Sequence, residues 1–204
     1  SVTVDIPEDR WVRAVEVRPG NRQVNHHVVL FSSSGAGMGR GGYFDVLAVW
    51  AVGTPPSQYP EGMGRWVRKG QTLATNMHYH LNGTATTDQT NVGLYFGKGE
   101  LKKEITAALA GSMTFEIPPN VENFPMTASW IVDQDISVVS FFPHMHLRGK
   151  DMLMRATYPG GRQETLLSVP KYDFDWQLFY YPENVVELPR GTRVDVVAHY
   201  DNSD

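Results

Sequence analysis

The punctuation of this chain constrains its fold more than any other feature. Nineteen glycines and thirteen prolines cut the sequence into short runs rich in β-branched and aromatic residues. Few of these runs carry a convincing helical period, and their length and composition are those of strands. Candidate strands cover residues 11–17, 24–31, 46–52, 72–80, 91–96, 112–117, 127–132, 137–142, 152–158, 164–169 and 193–200. Residues 99–110 (GELKKEITAALA) could form a helical turn or two, and the stretch stays ambiguous. Short strands at this spacing predict an all-β fold of antiparallel β-sandwich architecture. A break at residues 111–123, with IPPN inside it, predicts two tandem domains, 1–110 and 111–204, each of ordinary domain size.

Composition narrows the function. With 41% hydrophobic and 20% charged residues, the chain can bury a core. Its net charge of −4 and lack of a basic patch argue against nucleic acid as a partner. No apolar run approaches the length of a membrane span. The opening SVTVDIPEDRW reads as strand from its first residues, so removal of a leader is expected, and AHYDNSD at the other end reads as cut from something longer. There is no cysteine. That excludes disulfides, iron–sulfur clusters, thiolate zinc sites and blue-copper sites. Any metal must be held by His, Met or carboxylate.

The histidines are the chemistry-bearing residues. Six of the seven fall in three tight clusters: His26/His27, His78/His80 and His144/His146. On a strand, residues two apart face the same way, so His78/His80 and His144/His146 would each present two imidazoles from one face. Two neutral nitrogen donors on one side are what a metal needs. His26 and His27 are adjacent and would face opposite ways on a regular strand. One metal can take both only where the backbone bulges or the strand ends. The seventh, His199, shares a strand face with Asp195 and Val197.

Several other segments carry weaker signals. The glycine-rich stretch 35–42 lacks the spacing of a phosphate cradle and reads as a flexible surface loop. KYDFDWQLFYYP is aromatic, and Phe174, Trp176 and Tyr180 are expected to bury large areas. Tyr79 reads as a packing residue, Met152 and Met154 as core residues, and Arg148 and Lys150 as solvated or ion-paired.

Imidazole donors suit zinc, copper, iron and nickel, and the H-E-x-x-H of a zinc protease is absent. A cupin would pair His144 and His146 with a nearby carboxylate, here Asp151, and a later histidine, here His199. It would hold one iron or manganese. However, the expected glycine is Val138 and the expected glutamate is an aspartate. That reading also leaves His26, His27 and His78 without a role.

Five segments in order support a broader resemblance: VNHHVVLF, VWAVGTPPSQYPEGMG, TNMHYHLNG, FEIPPN and PHMHLRGK. Together they resemble the copper type II, ascorbate-dependent monooxygenases, the family of peptidylglycine α-hydroxylating monooxygenase and dopamine β-hydroxylase. RWVRAVEVRPGN and YDFDWQ resemble its bacterial branch. The resemblance implies two jelly-roll-like β-sandwich domains and two coppers per chain. One copper would be held by His26, His27 and His78, with His80 as a spare ligand or supporting group. The other would be held by His144 and His146, the catalytic pair, with a methionine that in the family lies beyond the segment matching VAHYDNS. His199 is a further candidate donor there. The implied reaction hydroxylates a C–H bond of a small organic substrate with O2 and a reductant such as ascorbate, in a periplasmic or secreted setting and with no membrane span. The family's peptide-processing enzyme holds a substrate carboxylate with an arginine two residues before the pair; here that position is Phe142, which cannot do so. The competing expectation is a non-catalytic copper-binding or structural β-sandwich module of a larger assembly.

Overall fold

The run RWVRAVEVR forms β2 (Arg10–Arg18), and its packing shows how the first half of the chain folds. Val12 and then Val15 and Val17 are all buried, although strict alternation would put Val12 and Val15 on opposite faces. A register shift between Val12 and Ala14 against the neighbouring strand reconciles them. In this computed structural model, residues 1–32, 43–112 and 114–203 are described, and every regular element among them is a strand. The glycine-rich stretch 35–42, expected to be a surface loop, lies outside the described residues.

The chain divides into two compact units, Ser1–Ala108 and Leu109–Asp204. In the first unit, β1 (Val2–Thr3), β8 (Thr72–Tyr79), β3 (Asn25–Phe31) and β5 (Val46–Ala51) form one sheet in that order. A second sheet joins β10 (Lys103–Glu104), β7 (Met63–Val67), β2 and β6 (Ser57–Gln58), with β9 (Asn91–Phe96) also paired to β2. Both sheets feed one core: Val12, Val15 and Val17 from β2, Val28 and Leu30 from β3, Leu47 and Trp50 from β5, Val67 from β7 and Leu73 from β8. Burying each such side chain contributes about 1.5–3 kcal/mol.

In the second unit, β12 (Val121–Ile131), β17 (Arg193–Asn202), β14 (Gly149–Thr157) and β15 (Gln163–Val169) form an antiparallel sheet. A smaller pair joins β13 (Ile136–Val138) and β16 (Val186–Leu188). Along β17 the even positions Val194, Val196, Ala198 and Tyr200 are buried and the odd ones are not. These buried positions lie in two adjoining clusters, one around Met145, Met152, Val169 and Tyr172 and the other around Val132, Ala156, Tyr158 and Leu188.

Several expectations are corrected. Residues 99–110 contain the two-residue strands β10 and β11 (Ala107–Ala108), the latter paired with β4 (Tyr43–Phe44), and no helix. The described part of 112–117 is not strand. The expected strand 137–142 shrinks to β13 and a single bridge, Phe141 to Tyr180. Of the aromatics expected to be buried, Phe174 packs on the core, but Trp176 is 62% exposed.

Candidate metal centre

β3 and β8 lie side by side, and their register builds the first histidine cluster. Val28 pairs with Met77, and both pack on the first-unit core. His27 pairs with His78 one step along. Directly opposed cross-strand residues share a face, so these two imidazoles leave the sheet together on the side away from that core. The next partners are Asn25 and Tyr79. β3 therefore spends two residues where β8 spends one, and His26 is the extra residue of a bulge. The bulge turns His26 towards the other two rings instead of leaving it on the opposite face.

The result is a group of three imidazoles. One nitrogen of each lies within 4.8 Å of the others. The Nδ1 atoms of His26 and His27 are 3.1 Å apart, and His27 and His78 have ring centroids 4.6 Å apart, near perpendicular. His27 is buried, His26 half-buried and His78 exposed, so the group is open on one side. Among the described residues, these three are the His, Asp and Glu side chains brought together this closely. Three neutral nitrogen donors fit copper or zinc. His80 lies past the end of β8, is exposed, and donates its backbone N–H to Val24. It is not part of the group.

The second pair is built differently. His144 and His146 sit on no paired strand. Their segment is nevertheless extended, with Pro143 and Met145 buried and His144 and His146 exposed. The phenol of Tyr172 holds that alternation in place: it accepts from the Met145 N–H at 3.1 Å and donates to the Met145 carbonyl at 2.7 Å. With Met145 anchored in the core, both histidines point outward, and their ring centroids are 5.2 Å apart. The segment then turns sharply, the Gly149 N–H bonding to the His146 carbonyl. A Cβ at Gly149 would sit 2.8 Å from the Met145 Cβ and 2.9 Å from the Tyr172 ring. Only glycine fits there.

Gln177, fully buried at 2% exposure, sets the chemistry of His144. Its Nε2 donates to the Phe174 carbonyl, which orients the amide and places Oε1 2.8 Å from His144 Nδ1. Nδ1 must then carry the proton, and Nε2 is the unprotonated nitrogen of the neutral ring. This is the usual way a protein presents an imidazole to a metal. The sequence reading gave Gln177 no role. Its only signal was its place in the string YDFDWQ. Phe142 stacks on the His144 ring, with centroids 6.0 Å apart and planes 11° apart.

The remaining candidates lie elsewhere. His199 and Asp151 face each other across β17 and β14, with Nδ1 2.7 Å from Oδ1. They do not join His144 and His146 in a group of the first kind, which removes the geometry a cupin site would need. Met152 and Met154 pack in the second-unit core. Tyr79 donates its hydroxyl to Asp88, and Lys150 donates to the Glu122 carbonyl.

No family model matches the chain. Comparison with characterised proteins finds 25% identity over 179 residues with DBH-like monooxygenase protein 1 of Gallus gallus, covering 78% of this chain and 29% of that relative. The chain thus spans less than a third of the relative's length. Over most of its own length, it is similar to a DBH-like monooxygenase.

Proposed function

We propose that the chain is a copper-dependent monooxygenase, or its copper-binding portion, with His26, His27 and His78 holding one ion and His144 and His146 holding a second. The observation that carries this reading is the bulge at His26, which gathers three imidazoles on one side of the β3/β8 pair. The resemblance to a DBH-like monooxygenase supports it. Bound copper would supply one-electron redox chemistry, cycling between Cu(I) and Cu(II). In the net reaction, one oxygen atom of O2 enters a C–H bond and the other leaves as water. A reductant such as ascorbate provides the two electrons and two protons.

The chain's own residues prepare the second site. Gln177 keeps the His144 proton on Nδ1. Tyr172 fixes the backbone between the histidines. Phe142 places an apolar ring where a carboxylate clamp would stand, which favours an uncharged small organic substrate over one with a free carboxylate. A periplasmic or secreted location fits this chemistry.

The second reading is a copper-binding module without hydroxylation, and the observation behind it is that the chain matches only 29% of the DBH-like relative's length. Copper content measured by mass spectrometry, with anomalous scattering at the copper edge to place the ions, tests the site assignment. Two coppers per chain at the named histidines support the two-site reading. Oxygen uptake that requires both ascorbate and an apolar substrate, and that His144→Ala abolishes, then separates enzyme from module. Copper at neither site would sink both.

A further inference from the structure

We infer that Asp88 is a positioning residue for the His26/His27/His78 centre, clamping the bulge from both sides; this rests on the metal reading of that group. Asp88 lies in the segment between β8 and β9. Its Oδ2 accepts from Asn25 Nδ2 at 2.9 Å, from Thr90 Oγ1 at 2.8 Å and from the Tyr79 hydroxyl at 3.2 Å. Its Oδ1 accepts the Asn21 backbone N–H at 2.7 Å. Asn25 precedes His26 and Tyr79 follows His78, and the two are cross-strand partners. One carboxylate therefore ties together the two residues that border the ligands on β3 and on β8.

The surroundings are arranged to keep it there. Gly20 lies so close to the Gln89 backbone that a Cβ would meet the Gln89 carbonyl at 2.6 Å. Asn21 Nδ2 reaches the Thr86 hydroxyl at 2.9 Å. The 20–25 turn and the 86–90 segment are thus stitched along their length. Burial alone would raise the Asp88 pKa, but the bonds from Thr90, Asn21, Tyr79 and Gly20 outweigh it and hold the group below the usual carboxylate range. It stays ionised, acceptor-only, and suited to several donors at once.

Asn25 supplies the second observation. It is 2% exposed, and its Oδ1 is buried without a hydrogen-bond partner. Such atoms are rare and mark a constraint. Here the amide is held through its nitrogen, by Asp88, one residue before His26.

The test compares the wild-type chain with Asp88→Asn and Tyr79→Phe, using copper alone as the probe. Asparagine at 88 would set an NH2 against the donors of Asn21 or Asn25. The expected result is a first-site copper affinity weaker by about tenfold or more, an altered Cu(II) paramagnetic resonance spectrum for that site, and unchanged affinity at His144/His146. Tyr79→Phe removes only the β8 arm, so its loss should be smaller and should vanish in the Asp88→Asn background. A folded Asp88→Asn chain with wild-type first-site affinity and spectrum overturns the clamp. If Asp88→Asn does not fold, wild-type affinity in Tyr79→Phe overturns it. A wild-type chain that binds no copper at the first site overturns the metal reading and the clamp together.

Discussion

Replacing Tyr172 with Phe removes one oxygen atom and tests how the second histidine pair is held. Tyr172 is buried and Met145 is 2% exposed. The phenol makes both bonds to the Met145 peptide groups, accepting at 3.1 Å and donating at 2.7 Å. Phenylalanine keeps the ring and its apolar contacts, so the change is confined to those bonds. Leaving a buried N–H or C=O unpaired costs about 1–3 kcal/mol each. Allowing for partial relaxation, we expect a loss of about 2–4 kcal/mol, a large fraction of the about 5–15 kcal/mol that stabilises a typical domain. Native-state hydrogen exchange of the β14 and β17 amides reads this loss in the second unit by itself. Copper affinity at His144/His146 should fall by about tenfold as the segment loosens. The Tyr172 pKa is pushed up to about 12, chiefly by burial. A raised pKa on an acid means the neutral form is favoured in the folded state. Its contribution is therefore intact below the unfolded value of about 10 and is lost as pH rises through about 12. The deficit of Tyr172→Phe should accordingly be the same at pH 6 and pH 8. A loss below about 0.5 kcal/mol with unchanged copper affinity would refute the anchoring role.

Further outcomes follow from the same geometry. His27→Ala should abolish copper-induced stabilisation of the first unit, about 2.7 kcal/mol when free copper is a hundred times Kd, whereas His80→Ala should preserve it; thermal melting with and without copper reads both. Gly97→Ala would drive a Cβ into the Trp11 indole, whose Nε1 is fixed on the Gly99 carbonyl, and should destabilise the first unit by about 1–3 kcal/mol in urea unfolding. Asp88 has a depressed pKa, so its contribution is present above the unfolded carboxylate value of about 4 and lost as pH falls through its folded value. Acid unfolding of Asp88→Asn should therefore depend less steeply on pH below about 4 than that of the wild type.

The sequence carried the strand content because alternation is local. Residues 91–96 form a strand over the expected span, and 11–17 extends by one residue at each end. What it could not carry was set by partners. The expected strand 127–132 in fact begins at Val121 and runs through Pro125, which pairs with His199. Proline is tolerated because β12 lies at the edge of its sheet, and edge position is a property of the whole sheet. β7 was missed because MGRWV follows a run of prolines and glycines, and its pairing to β2 and β10 is long-range. The helical reading of 99–110 failed for the same reason: Lys103 and Glu104 are drawn into parallel pairing with Met63 and Gly64. At the sites, the histidine clusters and the need for a bulge were legible. Gln177, Tyr172 and Asp88 were not, because each acts on a histidine or its neighbour through a contact that exists only after folding.

The two histidine pairs answer one geometric problem in two ways, and this predicts where the molecule is soft. Each must turn two nearby imidazoles to one side. At His26/His27 the residues are adjacent, so the backbone itself must change, and the bulge is bracketed by two pairs to β8, Asn25 with Tyr79 and His27 with His78, with β5 pairing from His27 onward. At His144/His146 the spacing of two already gives the right parity, so no bulge is needed. Without a paired strand, however, something else must keep the backbone extended, and the burial of Met145 with its two bonds to Tyr172 does so. A ladder distributes its constraint over many bonds, whereas an anchor concentrates it in one side chain. Hydrogen exchange should therefore protect the His27 and Val28 amides more strongly than those of His144 and His146. The more readily opened pair is also the one proposed to be catalytic.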